Sequence, residues 1–180
     1  MKRASGILLP VASLPSNYGI GCFSKEAYDF IDRLREAGQS YWQILPLSPT
    51  SYGDSPYQSF SSFAGNPYFI DLDTLVEEGV LTREECDACD FGDDPRLADY
   101  GKIYRERFDL LRIAYGRSDI SHNSDFVRFV QENGYWLEDY ALFMAVKLRF
   151  DGAAWCEWAE DIRKRWSYAL DYYRRECYFD

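Results

Sequence analysis

From Tyr41 to Leu47 the sequence reads YWQILPL, apolar at every position but Gln43 and bounded by Gly38, Pro46 and Pro49. Such a run is too short for a buried helix, and its Pro/Gly frame predicts a strand covered on both faces. A second run of the same kind, Ser5 to Val11, lies upstream. Between the two, Ser24 offers an N-cap, and Ala27, Phe30, Ile31, Leu34 and Ala37 recur at helical spacing until Gly38. Strand, helix, strand forces the two strands parallel with a right-handed crossover. The chain therefore opens as a βα sheet or barrel.

The stretch after Leu47 cannot be core. Residues 48–67, SPTSYGDSPYQSFSSFAGNP, interleave hydroxyls with Tyr52, Tyr57, Phe60 and Phe63, and place Asp54, Ser55 and Gln58 among them. A loop of this length is either functional or disordered, and four aromatic rings argue against leaving it in water. A strand feeding a polar, aromatic loop is how α/β folds place a site at the carboxyl ends of their strands. Upstream, Gly19-x-Gly21 lacks the third glycine of a phosphate-cradling turn and reads as a loop needing positive φ.

The remainder is helical in pattern. Pro67 to Leu72 reads as a brief extended piece, Asp71 or Asp73 as the cap of a short helix, and Thr82-x-x-Glu85 as a capping box. Tyr100 to Tyr115 carries Ile103, Tyr104, Phe108, Leu111 and Ala114 at helical spacing. The pattern then predicts a short helix from Asp125 to Gln131 ending near Gly134, a longer one from Trp136 to Phe150, a break at Asp151-Gly152, and a resumption from Glu157 to Cys177. No third strand is legible.

Thirty acidic against twenty basic residues give a formal charge of −10. That charge repels phosphate backbones and anionic lipid, so nucleic-acid and membrane partners are not expected. The apolar stretch after Met1 is broken by Pro10 and is too short for a signal peptide, and five cysteines make no even disulfide framework; a cytoplasmic protein is expected. Cys86-x-x-Cys89 lacks the further ligands a structural zinc requires, and the single histidine, His122, reads as a loop residue. No structural zinc is expected from these residues. Nor is there a G-x-S-x-G elbow or a Ser-His-Asp set, and most carboxylates fall on exposed helix faces.

The stretches SGILLPVASLPSNYGIG, AYDFIDRLREAGQSYWQILPLSPTSYGDSPYQSFSSFAGNPYFIDL and GYWLEDYALFMAVK closely resemble the opening of the amylomaltases, the 4-α-glucanotransferases of glycoside hydrolase family 77. The resemblance implies a (β/α)8 TIM barrel with inserted helical subdomains, acting without metal or organic cofactor on α-1,4-glucans. It also implies transfer of a glucan segment between maltodextrins through a retaining, covalent glycosyl-enzyme. By this resemblance Tyr57 matches the tyrosine that stacks under the donor sugar, Ser55 a hydroxyl that bonds the glucan, and Tyr52 an aromatic of an outlying glucan groove. Asp54 and Gln58 join them as expected hydroxyl-binding or loop-supporting groups.

The family's nucleophile and acid/base lie beyond residue 180, so no catalytic residue is expected within this chain. A full barrel needs roughly 250 residues. Residues 1–72 are expected to begin the catalytic barrel with its first two parallel βα units and the glucan-binding loop 48–67. Residues 73–180 are expected to form a mostly helical inserted subdomain, leaving the barrel incomplete and the chain inactive without the C-terminal part of its own barrel. A non-catalytic glucan-binding or interaction module is the alternative.

Overall fold

The computed structural model describes residues 3–51, 53–94 and 96–179. They form two compact units, Met1–Ile120 and Ser121–Asp180.

In the first unit β1 (Gly6–Leu8) pairs in parallel with β2 (Tyr41–Gln43), with Ile7 opposite Trp42. Gly6 is required by this pairing, since a Cβ there would sit 2.5 Å from the Tyr41 carbonyl oxygen. Helix α1 (Lys25–Glu36) makes the crossover. It ends as expected at Gly38, whose φ of 69° lets Gly38 and Gln39 donate back to Arg35 and Leu34 in a Schellman pattern. Ser24 does precede α1, but its hydroxyl donates to Glu26 rather than capping the helix. Val11, Leu14 and Ala27 form the core under the pair, with Phe30 edge-on to Trp42 at 5.1 Å.

Both strands are shorter than the runs that announce them. Pro10 and Pro46 have no N–H to give a ladder. Val11–Ser13 turns into a 3-10 helix, and residues 44–47 run on outside the ladder. Burial on both faces is also corrected: Tyr41 is 66% exposed and Gln43 exposed, because among the described residues β2 has one strand neighbour and one covered face.

Pro67–Phe69 is a 3-10 turn rather than extended, with the Asn66 side chain accepting from the Tyr68 N–H. Helix α2 (Leu72–Glu77) is capped by Asp71, and α3 (Arg83–Asp87) carries the full Thr82/Glu85 capping box. Helix α4 (Tyr100–Arg117) buries Ile103, Arg107, Leu110 and Ala114. That stripe differs in part from the expected one: Tyr104 is exposed, Leu110 is buried more deeply than Leu111, which still packs against the core with Phe108, and a charged residue, Arg107, is fully buried within it. Its Nη2 donates to the Ile70 carbonyl, while Nε and Nη1 have no partner among the described residues. Ile103 and Leu110 share one core with Tyr18, Ile20, Tyr68, Leu72 and Cys86. Residues 73–120 thus pack with residues 1–72.

The second unit opens on α5 (Ser124–Arg149), one continuous helix where two were expected. Gly134 lies inside it in ordinary helical backbone, and a glycine's cost of about 1 kcal/mol is too small to break a helix capped by Asn123. The break at Asp151-Gly152 is present, both with positive φ. The stretch from Glu157 onward divides into a 3-10 turn (Trp155–Glu157), α6 (Glu160–Arg163) and α7 (Ser167–Glu176). Arg165, at φ 56°, turns the chain between the last two. Val146, Trp158, Ile162 and Ala169 form this unit's core. Among the described residues no helix is long and apolar enough to cross a membrane.

Candidate functional site

The loop after β2 is tied at its base and near its tip. Asn66 donates its backbone N–H to the Leu47 carbonyl at 2.8 Å, closing the base. Thr50 bridges Ser59, and Ser51 donates to the Gln58 carbonyl at 3.1 Å. Between these ties the Asp54 N–H donates to Ser51, and Gly53 at φ 88° supplies the positive angle that the turn requires. Asp54 itself stands at φ 54°, a left-handed conformation that aspartate tolerates better than most residues. Ser61 folds the return limb by accepting from Phe63 and Ala64.

This scaffold separates the expected site residues. Asp54 is half-buried and lines a cavity of about 180 Å³ at the carboxyl ends of the two strands, with Thr50, Pro56, Asn66, Tyr68 and Tyr100. Tyr57 does not line that cavity and is 73% exposed. Gln58 is exposed, and its N–H donates to the Ser55 carbonyl at 3.0 Å. The Ser55 hydroxyl, half-buried, accepts from the Tyr57 N–H at 3.3 Å, which fixes the backbone that presents the ring. Tyr52 lies outside the described residues. The loop therefore has an aromatic outer face at Tyr57 and a polar inner face at Asp54.

Tyr68 and Tyr100 were not legible as site residues. Their rings lie 6.1 Å apart, and both line the cavity with Asp54. Burial raises the Tyr68 phenol to about 12, with the Asp54 carboxylate adding to the rise. The same two causes raise Tyr100, and burial alone raises the Asp54 carboxyl above the usual aspartate range. Two phenols held protonated beside one carboxylate give two donors and a strong acceptor on a mostly apolar wall that also carries Ser13, Thr50 and Asn66. The only trace in the sequence is Asn66-Pro67 ahead of Tyr68, a turn signal that sets its backbone but not its destination.

Other candidates are closed. Cys86 is buried, and burial pushes the Cys89 thiol up to about 11 with Glu106 adding to it, so neither is poised as a thiolate. No group of three or more His, Cys, Asp or Glu side chains is placed to hold a metal among the described residues. Asp54 is the one carboxylate on the cavity wall among them, whereas a retaining glycosidase needs two about 5 to 5.5 Å apart.

Comparison with known proteins supplies the context. A family profile described as 4-alpha-glucanotransferase, glycoside hydrolase family 77, matches residues 9–179. The chain is 52% identical over 177 residues to a 4-alpha-glucanotransferase of Streptococcus pneumoniae, covering 97% of this chain and 35% of the relative. It is 45% identical over 174 residues to one of Thermus thermophilus, covering 94% and 34%. An amylomaltase from Streptococcus agalactiae, solved in complex with acarbose, superposes with a TM-score of 0.91 at 42% identity, over 98% of this chain and 36% of that one. An amylomaltase from Corynebacterium glutamicum shares the fold at a TM-score of 0.66 and 19% identity. The chain thus spans about a third of the length of the relatives it matches. With a profile match across almost its whole extent and this degree of identity, it belongs to the 4-alpha-glucanotransferase family, glycoside hydrolase family 77.

Proposed function

We propose that this chain is the N-terminal part of a 4-α-glucanotransferase that moves α-1,4-glucan segments between maltodextrins through a covalent, retaining glycosyl-enzyme. The observation that carries the reading is the close superposition on an amylomaltase that binds acarbose. In this chain β1 and β2 are the first two strands of a (β/α)8 barrel, and residues 73–180 are an insertion in that barrel. The two carboxylates that break and remake the glycosidic bond come from the part of the protein beyond residue 180.

What this portion contributes is binding. A pyranose has an apolar face and a rim of hydroxyls. Tyr57, exposed on a backbone pinned by Ser55, offers its ring to the apolar face of the donor sugar. Ser55, Gln58 and Asp54 bond hydroxyls, and Tyr52 contacts the glucan farther out. Asp54, Tyr68 and Tyr100 supply an acceptor and two donors beneath the loop. Stacking and multiple hydrogen bonds hold the chain of sugars still while the bond is cut, which lowers the entropic part of the barrier. All five cysteines are free thiols, in keeping with a reducing, cytoplasmic setting. A charge of −10 favours neutral glucans over nucleic acid or membrane as partners.

Incubation with maltotriose tests the division of labour. The 180-residue chain should leave it unchanged, and the full-length protein should produce glucose and longer oligomers. Turnover by the chain alone would overturn the reading.

A further inference from the structure

Within residues 121–180 a pocket of about 370 Å³ opens between α5, the Trp155–Glu157 turn, α6 and α7. Ligand sites run from about 300 to 1,000 Å³, so this one is large enough to hold sugar rings. Its floor is apolar, built from Leu142, Phe143, Val146, Ile162 and Leu170. Two tryptophans of neighbouring sequence stand at it in different states. Trp158 is structural: 7% exposed, stacked on Phe150 at 5.6 Å, its indole N–H bonded to the Ala153 carbonyl at 3.1 Å. Trp155 lines the same pocket but is 57% exposed. An indole left half in water forfeits most of the burial that a packing role would provide.

The rim is polar and of both signs. Asp139 on α5 accepts from Arg165 Nη2 at 2.8 and 2.9 Å. Arg163 donates to the Cys156 carbonyl at 2.8 Å, tying α6 to the turn that carries Trp155. Arg165 occupies the left-handed position that ends α6, a place glycine usually takes, and an arginine there is strained.

We propose that this pocket is a further α-glucan contact site, separate from the loop, in which Trp155 stacks on a pyranose face and Asp139, Arg163 and Arg165 bond its hydroxyls. An acyl chain would desolvate three charged groups without bonding them. An anion would meet Asp139. A sugar has the apolar face the floor and indole ask for, together with hydroxyls that donate to Asp139 and accept from the two guanidinium groups. The ligand class rests on the glucan reading of the family; the pocket and its rim do not.

The test is to follow the indole N–H signals of the 180-residue chain while maltoheptaose is added. Trp155 and Trp158 should shift together with a dissociation constant of about 1 mM, the weak end of the scale. Trp155→Ala should abolish the Trp158 shift, Trp155→Phe should retain it, and Asp139→Asn should weaken it by about tenfold through loss of an acceptor. Tyr57→Ala should leave it unchanged. Unmoved Trp155 and Trp158 signals would overturn the pocket site and leave the loop reading standing, as would a Trp158 shift that survives both Trp155→Ala and Asp139→Asn. If Trp155→Ala abolishes all binding and Tyr57→Ala none, the pocket stands and the loop reading fails.

Discussion

The backbone N–H of Asn66 reaches the Leu47 carbonyl at 2.8 Å, so the loop bearing Asp54, Ser55 and Tyr57 leaves and rejoins the fold at one point. The same Asn66, 8% exposed, spends its side-chain oxygen on the Tyr68 N–H at 3.0 Å. One residue thereby sets both the base of the loop and the cavity wall beneath it.

Asn66→Ala leaves the Tyr68 N–H without its acceptor, and loss of such a cap costs about 1 to 2 kcal/mol. Urea unfolding should show a lower midpoint, with Asn66→Asp, which keeps an acceptor, close to the native value. An unchanged midpoint in Asn66→Ala would contradict this role.

Acid stability should report the Glu85 pair. Arg117 donates to Glu85 through Nη1 at 2.8 Å and Nη2 at 2.6 Å, and these bonds, followed by the Thr82 N–H, hold the Glu85 carboxyl down at about 2. Because the folded value is depressed, the stabilisation is complete above the ordinary glutamate range and fades as pH falls toward about 2. Melting temperature should drop across that window, and the drop should be shallower in Arg117→Met. Parallel curves for the two proteins would contradict the assignment.

Gly21 sits where no side chain fits. A Cβ would lie 2.2 Å from the Val11 carbonyl oxygen and 2.7 Å from the Leu14 nitrogen, both backbone. Gly21→Ala should cost more than about 2 kcal/mol, at the severe end for a single added methyl group. Gly65→Ala, with nothing within 4 Å of the added carbon, is the control and should be tolerated. Equal unfolding midpoints for the two variants would refute the close approach.

Gly134 makes the opposite case. It lies inside α5 with open space around its missing Cβ. Gly134→Ala should raise stability by about 0.5 to 1 kcal/mol through helix propensity. Loss of helical circular dichroism in this variant would mean that the helix does break there.

The Gly38 stop and the Thr82/Glu85 box were legible in the sequence because each is decided by neighbours within a few residues, and the strand-helix-strand opening because each of its three elements carries a local pattern and the crossover then dictates parallel pairing. The continuity of α5 was not, since Gly134 resembles a stop until the helix is seen to run through it. Helix α4 misled for a different reason: its buried stripe passes through Arg107, which a hydrophobic pattern excludes. At the site, the loop and Asp54 stood out by composition. Tyr68 and Tyr100 reach the same cavity from a later turn and from the start of α4, a meeting made by tertiary packing alone.

The central claim is that Tyr57 and the hydroxyl-bonding groups beside it hold the glucan for a reaction completed elsewhere in the protein. Maltoheptaose titrated calorimetrically into the full-length protein, native and Tyr57→Ala, tests it most directly. The account predicts affinity weakened by about tenfold or more on loss of the stacking ring, with transferase rate falling too. Unchanged affinity and unchanged rate would contradict it.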